Sequence, residues 1–281
     1  MSLLFDITSY EQSLKFLTDY LTVEPKRVIA YVEESNKDDY DVDDFIETFK
    51  ISLDELEIEN IDAAVFHVTS NNDNCNSIKM TGLLNLQQAL TMNTPLKKYL
   101  RNFRIEFDVS NKIMWVKGKQ FDITYNSSSW PSNEREERLE NVARKVYFDH
   151  QINGFFCIQD FRGYGGEVHK RPEILFNLQE LFQANVLVER WENSCKPYVV
   201  KYRAPLDYFT YYTFYDEKYE YEDDYKEKAK LKTWLINKAL YVIWDWLHYN
   251  EIPEFYAYMK PEISIPFSDI LEIYPLGEFE R

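Results

Sequence analysis

Cysteine, glycine and long apolar runs are all scarce in this chain of 281 residues. The three cysteines are odd in number and lack metal-type spacing, so they favour reduced thiols over a disulfide framework or a zinc site. No apolar run approaches the roughly 18 residues that a membrane helix needs. Residues 1–20 also lack a basic segment followed by an apolar one. We therefore expect a cytoplasmic protein that does not associate with membranes.

The few glycines are unevenly placed. The chain has only seven, and three of them, Gly163, Gly165 and Gly166, fall within four residues. Glycine at this density indicates a loop that needs unusual backbone angles or approaches a ligand closely. A carboxylate, Glu173, follows this loop at the start of an apolar segment, where we expect it to enter a strand. The loop and Glu173 are therefore a candidate site.

Charge is also uneven along the chain, whose formal net charge is −16. Residues 1–66 carry 17 acidic and 5 basic side chains, a balance of −12, whereas residues 67–148 carry 12 basic and 8 acidic ones, a balance of +4. The overall acidity argues against non-specific duplex binding. The acidity does not exclude a nucleic-acid substrate that binds through residues 67–148 alone. We predict an acidic N-terminal segment at 1–60, able to dock a basic protein, and a second domain at 61–281.

The apolar pattern predicts an α+β fold with two packed, mostly antiparallel sheets that form a cleft flanked by helices. Segment 10–21 has helical spacing, and segment 27–32 is typical of a strand. Residues 103–123 alternate as a hairpin and a third strand, and 151–158 predict a strongly apolar strand. The 22 Tyr, 19 Phe and 6 Trp supply a large core.

A second candidate site begins in an apolar run that reaches His67, Thr69 and Ser70 and then breaks into a polar tract. Apolar spacing resumes after this tract and stops at Gly82. The pattern predicts a strand, a loop and a short helix with Ser77 as its N-cap. The strand would deliver His67 to an open edge of a sheet.

These two stretches together resemble the ADP-ribosyltransferase-like fold. In that fold a His-x-Thr strand leads to a short helix ending in Gly-Leu, and a glutamate near the end of the domain completes the site. The segment 263–277, with Pro266-Phe267-Ser268-Asp269-Ile270-Leu271-Glu272-Ile273, resembles the ending of bacterial members associated with toxins and phage resistance. The resemblance covers roughly residues 61–281.

The resemblance implies NAD as co-substrate and assigns roles to individual residues. His67, with Thr69 as its usual neighbour, would hold a ribose hydroxyl, and Glu173 would orient the other ribose and stabilise a ribosyl cation. A tyrosine would stack on nicotinamide, and Tyr99 and Tyr125 are both possible. The remaining candidates are Tyr164, which could be an aromatic facing the substrate, and Arg171, which with Arg162 and Lys170 could hold a phosphate or could simply form a basic rim.

The sequence departs from the family pattern at Arg171, two residues before Glu173. Arginine-modifying members usually have an acidic residue or glutamine there, so the departure argues against arginine as the acceptor. We therefore expect an NAD-dependent ADP-ribosyltransferase that modifies a nucleic acid or a protein, as a toxin or an anti-phage effector. No metal is expected.

Three other interpretations remain open. His67, Cys157 and His169 could converge on a metal, but they lack the close paired spacing that such sites show. Cys157 or Cys195 could serve a cysteine hydrolase, although their surroundings are apolar or uncharacteristic. A non-catalytic interaction protein, whose acidic segment mimics nucleic acid or docks on a basic partner, is the main rival.

Overall fold

The computed structural model of the chain describes residues 2–38, 40–128, 130–163, 165–214 and 224–278. Within these residues the chain is α+β, as the sequence predicts. The strands are β1 (Leu3–Phe5), β2 (Ile61–Asn71), β3 (Ile105–Asp108), β4 (Ile113–Val116), β5 (Lys119–Asp122), β6 (Gly154–Cys157), β7 (Lys196–Pro205), β8 (Phe255–Ala257) and β9 (Ile270–Pro275). The helices are α1 (Tyr10–Leu21), α2 (Pro25–Glu34), α3 (Val42–Phe49), α4 (Asn76–Thr81), α5 (Leu86–Thr91), α6 (Pro95–Asn102), α7 (Glu134–Tyr147), α8 (Glu173–Phe182), α9 (Val186–Ser194) and α10 (Asp224–Tyr249).

The described strands form two sheets. The larger has the order β8-β6-β2-β7-β9, with β1 paired to β2 off this path. β1 runs parallel to β2, whereas β6 is antiparallel to both β2 and β8. The smaller sheet is the antiparallel meander β3-β4-β5. This meander confirms the predicted hairpin and third strand.

The chain divides into two compact units. The first comprises residues 1–66, 153–159 and 202–258, and the second comprises residues 67–152, 160–201 and 259–281. Residues 1–60 thus belong to a unit that also contains later parts of the chain, and this division differs from the predicted boundary at residue 60. The boundary between the units falls inside β2, just before His67.

The first unit has an aromatic core. Phe5 packs edge-on against Phe16 at 4.9 Å between ring centroids, and Phe156 and Trp234 lie 5.7 Å from the same ring. α1 occupies the predicted segment and begins where the Ser9 hydroxyl accepts a hydrogen bond from the Gln12 amide.

The predicted strand at 27–32 is wrong, because this segment lies in helix α2. Pro25 occupies the first turn of α2, where its missing N–H costs nothing. Val28 and Val32 are both buried, which fits the four-residue spacing of one helix face. The three β-branched residues of this segment favour a strand locally, but burial of one amphipathic face stabilises a helix.

The core of the second unit is built from α5 to α9 and the meander. Met114 of β4, Leu100 of α6 and Val142 of α7 are among its fully or almost fully buried side chains. α7 packs on α8, and α8 packs on α9. Helix α9 and strands β1 and β8 are elements that sequence patterning missed.

A close backbone approach fixes the end of α4 within the second unit. Gly82 caps α4 with φ +76°, and a Cβ on Gly82 would lie 1.9 Å from the Ile265 carbonyl oxygen. The next residue, Leu83, exchanges backbone hydrogen bonds with Ile265 at 2.8 and 2.9 Å. Glycine is required here for both its backbone angle and its size. The predicted end of the helix at Gly82 is confirmed.

Candidate functional site

A cavity of about 260 Å³ lies wholly within the second unit. The end of β2 contributes His67 and Thr69 to its wall, and the start of α8 contributes Glu173. Further parts of the wall come from α4, α5, the start of α6, and the segment 149–152. His67 and Thr69 therefore line the same cavity as Glu173, although Glu173 is more than a hundred positions away in the sequence.

The loop after β2 is held in place by Asn71. The Asn71 side chain is buried, and its carbonyl oxygen accepts hydrogen bonds from the backbone amides of Asp73 and Cys75, at 2.7 and 2.9 Å. The predicted N-cap at Ser77 is wrong, since α4 begins at Asn76 after a left-handed Cys75. The Ser77 amide instead donates to the Asp73 carboxylate at 3.0 Å. These bonds fix the path of the chain from His67 to α4.

Glu173 is the first residue of helix α8, and the expectation that it enters a strand is wrong. Its carboxylate benefits from the positive end of the helix dipole. It also forms an ion pair with Lys145 of α7, at 2.6 Å. The same ammonium group lies 2.8 Å from Asp149. A single cation is therefore shared by two carboxylates at the wall of the cavity.

Lys145 is largely buried, with 19% of its side chain exposed. Burial alone would lower the pKa of Lys145, but the carboxylates of Asp149 and Glu173 outweigh it and raise that pKa above its ordinary value. Lys145 therefore remains charged across the physiological pH range. Its charge holds the Glu173 carboxylate at one position.

A second cavity of about 340 Å³ lies on the other side of this charged cluster. Lys145, Asp149 and Glu173 line both cavities, and Asn141, Arg144 and Asn177 complete the second one. Its wall is polar and contains two cations. The two cavities adjoin each other at these three shared residues.

The structure places the tyrosine candidates away from the first cavity. Tyr99 is 9% exposed, and its hydroxyl donates to the Leu187 carbonyl at 2.6 Å inside the core of the second unit. Tyr125 packs at the edge of that core, 5.8 Å from the Phe148 ring. Tyr164 lies outside the described residues. Neither Tyr99 nor Tyr125 contributes to the cavity wall.

The aromatic ring on the cavity wall belongs to Trp191 of α9. Its indole N–H donates to the Ser70 hydroxyl at 2.8 Å, and the Tyr99 ring packs edge-on against it at 4.9 Å. Tyr99 therefore supports the aromatic wall from behind. Sequence patterning missed Trp191 because it missed α9.

Arg171 is 7% exposed and is held by several neighbours. One guanidinium nitrogen donates to the Gly166 carbonyl at 3.2 Å, and the group lies over the Phe176 ring at 4.5 Å. Glu167 and Glu192 lie within ion-pair distance, at 3.6 and 3.8 Å. Arg171 is not on the wall of either cavity. It closes the glycine loop onto α8.

Two histidines near these elements have lowered pKa values. Burial lowers the pKa of His150, which lines the first cavity, and burial also lowers the pKa of His169 after the glycine loop. Both are therefore neutral at physiological pH. Among the residues that the structure describes, no three His, Cys, Asp or Glu side chains are grouped as a metal site would require.

No protein-family model, curated protein or solved structure matches this chain. In the described part of the chain, no helix is both long and apolar enough to cross a membrane. The resemblance to the ADP-ribosyltransferase-like fold is therefore a hypothesis based on short motifs and on the placement of their residues.

Proposed function

We propose that this protein is an NAD-dependent ADP-ribosyltransferase that modifies a macromolecule. The observation that supports this proposal is the shared cavity wall of His67, Thr69 and Glu173. The motifs that suggested these residues lie in different parts of the chain. A chance resemblance at either motif would have no reason to bring them to one cavity.

The size and polarity of the two cavities suit NAD as a substrate. Ligand sites for drug-sized molecules measure about 300–1,000 Å³, so the first cavity alone accepts only part of the dinucleotide. The adjoining polar cavity offers Arg144 and Lys145, and cations of this kind bind phosphate oxygens. We expect the nicotinamide ribose to lie beside Glu173 and the pyrophosphate to lie near Arg144.

The reaction breaks the bond between C1′ of the ribose and the nicotinamide nitrogen. The bonding electron pair leaves with nicotinamide, which becomes neutral, and positive charge develops on the ribose carbon, as in glycoside cleavage. A fixed carboxylate beside that carbon stabilises the charge. Glu173 would have this role. A nucleophilic atom of the acceptor then bonds to C1′ and gives up its proton to a base.

The ion pair with Lys145 has two consequences for this role. It holds the Glu173 carboxylate in one position before the substrate arrives, which is the preorganisation that such a site needs. It also reduces the effective negative charge of the carboxylate. A ligand that draws Lys145 toward its phosphates would free Glu173 to face the ribose.

Incubation of the pure protein with NAD labelled on the adenylate, together with cell extract, tests the proposal. Transfer of label to protein, RNA or DNA is expected, with release of one nicotinamide for each ADP-ribose transferred. Neither transfer nor nicotinamide release, across extracts of several sources, would contradict it. The identity of the labelled fraction names the acceptor class.

A non-catalytic interaction protein is the second candidate, and one observation favours it. The carboxylates of α2 and α3 and of the segment 54–59 are mostly exposed, including Glu33, Asp43 and Glu55. Such a surface attracts a basic protein, and their association should weaken steeply with salt. In this case the protein would consume no NAD, whatever its partner.

A further inference from the structure

The end of the meander next to α6 carries a cluster of cations, which we call the basic edge: Arg101, Arg104, Lys117 and Lys119. β3 begins directly after Arg104, and the two-residue turn Lys117-Gly118 joins β4 to β5. The Lys117 amide donates to the Arg104 carbonyl at 2.8 Å, which brings the two segments together. All four side chains are exposed.

The charge of the basic edge is not neutralised locally. Within the described part of the chain, none of the ion pairs includes any of these four cations. Residues 97–119 carry seven basic and two acidic side chains in a protein whose net charge is −16. Arg190 adds a fifth cation nearby, 5.7 Å from the ring of Phe103, which directly precedes Arg104.

An exposed tryptophan lies on the same sheet. Met114 of β4 points into the core, so its neighbour Trp115 points to the outer face, where it is 41% exposed. Trp115 is paired with Glu106 on one side and Gln120 on the other. Counted along the strands, these three paired residues lie one row in from the end of the sheet that carries the basic edge. An aromatic ring, an amide and a carboxylate therefore share the outer face of the meander, whereas Lys119, which is paired with Val116, lies on the other face.

We propose that the basic edge and Trp115 form a binding surface for single-stranded nucleic acid. Cations that bind phosphates together with an aromatic ring that stacks on a base are the elements of single-strand binding. A duplex fits less well, because its bases are stacked internally and its charge density is higher against an acidic protein. An acidic peptide would use the cations but would gain little from the aromatic face or from Gln120.

Helix α6 connects this surface to the first cavity. The cavity wall includes Pro95 and Leu96 at the start of α6, and Arg101 lies at its other end. Eight residues of helix span about 12 Å. The basic edge therefore lies about one length of α6 from this part of the cavity wall. This binding surface stands on its own observations and does not depend on the proposed NAD reaction.

Two lysines of the meander give a matched pair of variants. Lys117 and Lys112 both have left-handed backbone angles, φ 51° and φ 57°, in the turns at opposite ends of β4. Asparagine tolerates this conformation well, so Lys117→Asn and Lys112→Asn should both fold. Arg104, at φ 58°, allows the same substitution. Lys117→Asn and Lys112→Asn therefore each remove one positive charge, at opposite ends of β4, from the same backbone conformation.

The test is fluorescence anisotropy with a labelled single strand of about 12 nucleotides, titrated between about 50 and 200 mM salt. We expect Lys117→Asn, the partner of the Lys112→Asn control, to weaken binding about threefold and to lower the salt slope by about 0.7. Adding Arg104→Asn should bring these effects to about tenfold and about 1.4. Trp115→Thr should also weaken binding about tenfold. Lys112→Asn should leave both the affinity and the slope unchanged.

Three results would overturn the proposal. One is a wild-type protein that fails to bind the single strand at low salt. Another is a loss of affinity in Lys112→Asn equal to that in the basic-edge variants. This result would mean that charge attracts the single strand to the protein without a defined binding surface. The third is a polyglutamate peptide of similar length that binds as tightly and ignores Trp115→Thr, which would identify an acidic protein as the partner. Failure here leaves the NAD reaction intact, because nicotinamide release is measured separately.

Discussion

The ammonium group of Lys145 lies 2.6 Å from the carboxylate of Glu173 and joins helix α7 to the first residue of helix α8. This pair lies on the wall shared by the two cavities. It brings together a residue that the sequence motifs singled out and one that they did not. The chemistry that we propose depends on both residues.

Glu173→Gln should abolish turnover while preserving NAD binding. The substitution keeps the volume but removes the negative charge, and electrostatic terms of this kind are worth about 10²–10³ in rate. In ground-state NAD the positive charge is spread over the nicotinamide ring, and it moves to the ribose carbon only as the bond breaks, so the affinity should change far less than the rate. Nicotinamide release and equilibrium binding of NAD are the two measurements.

Glu134→Gln is the matched control, since Glu134 is the first residue of α7 and pairs with Arg138 at 2.6 Å. It lines neither of the two cavities. Its turnover should equal that of the wild type. Full activity in Glu173→Gln would show that Glu173 is structural.

His67→Ala should weaken NAD binding and leave the rate at saturation nearly unchanged. A side chain that clamps the substrate equally in the ground and transition states affects KM and not kcat. Loss of one hydrogen bond costs about tenfold in affinity. His169→Ala, in a half-buried histidine outside the cavity wall, is the control. A fall in kcat alone would contradict the clamp role.

Lys145→Met should destabilise the protein by about 1 kcal/mol at neutral pH, since two carboxylates lose their shared cation. The folded-state pKa of Lys145 lies above its ordinary value of 10.5. Its contribution is therefore fully present below pH 10.5 and is lost as the pH rises through the folded pKa. Urea unfolding of both proteins at pH 7, 9 and 11 measures this. A stability difference that persisted undiminished above the folded pKa would contradict it.

Gly82→Ala should destabilise the protein by at least about 2 kcal/mol, because strain at positive φ adds to a backbone clash. Gly118→Ala is the control, with φ +81° but nothing within 4 Å of the added Cβ. It should lose only about 1 kcal/mol, the cost of the backbone angle. Chemical denaturation of both variants separates the free-energy cost of the clash with Ile265 from the cost of the backbone angle. Equal losses would show that the contact with Ile265 relaxes easily.

Arg171→Lys should lower stability by about 1–2 kcal/mol, since lysine cannot reproduce the planar stack on Phe176. The affinity for NAD should not change, because Arg171 is absent from both cavity walls. Arg162→Lys, at an exposed position on the same loop, is the control. A higher KM at unchanged stability would restore Arg171 to the phosphate-binding role that the sequence suggested.

Local pattern was enough to find the elements whose signals do not depend on distant contacts. α1, β2 and the meander lie where the spacing of apolar residues predicts them. In the α2 segment, three β-branched residues favour a strand more strongly than Pro25 favours a helix. After Glu173, an apolar run of three residues fits either a strand or a helix. Tertiary burial decides such cases.

The site was predictable only in part. His67, Thr69 and Glu173 belong to motifs, and the structure brings them together. Lys145 and Trp191 reach the cavity from helix faces, through packing that no local sequence signal reports. Only its residue type made Tyr99 a candidate for stacking on nicotinamide. Its position in the core depends on packing against Trp191 of α9, a helix that the sequence pattern did not predict.

The backbone bridge between Leu83 and Ile265 affects when during synthesis the cavity wall can be completed. Leu83 lines the cavity, yet its hydrogen-bonding partner, Ile265, is made much later in synthesis. Contacts between such distant segments form late and slowly. On a ribosome, the nascent protein would therefore lack this contact with the cavity wall until Ile265 has been made. If the proposed activity is harmful to the cell that makes it, this delay keeps unfinished chains harmless.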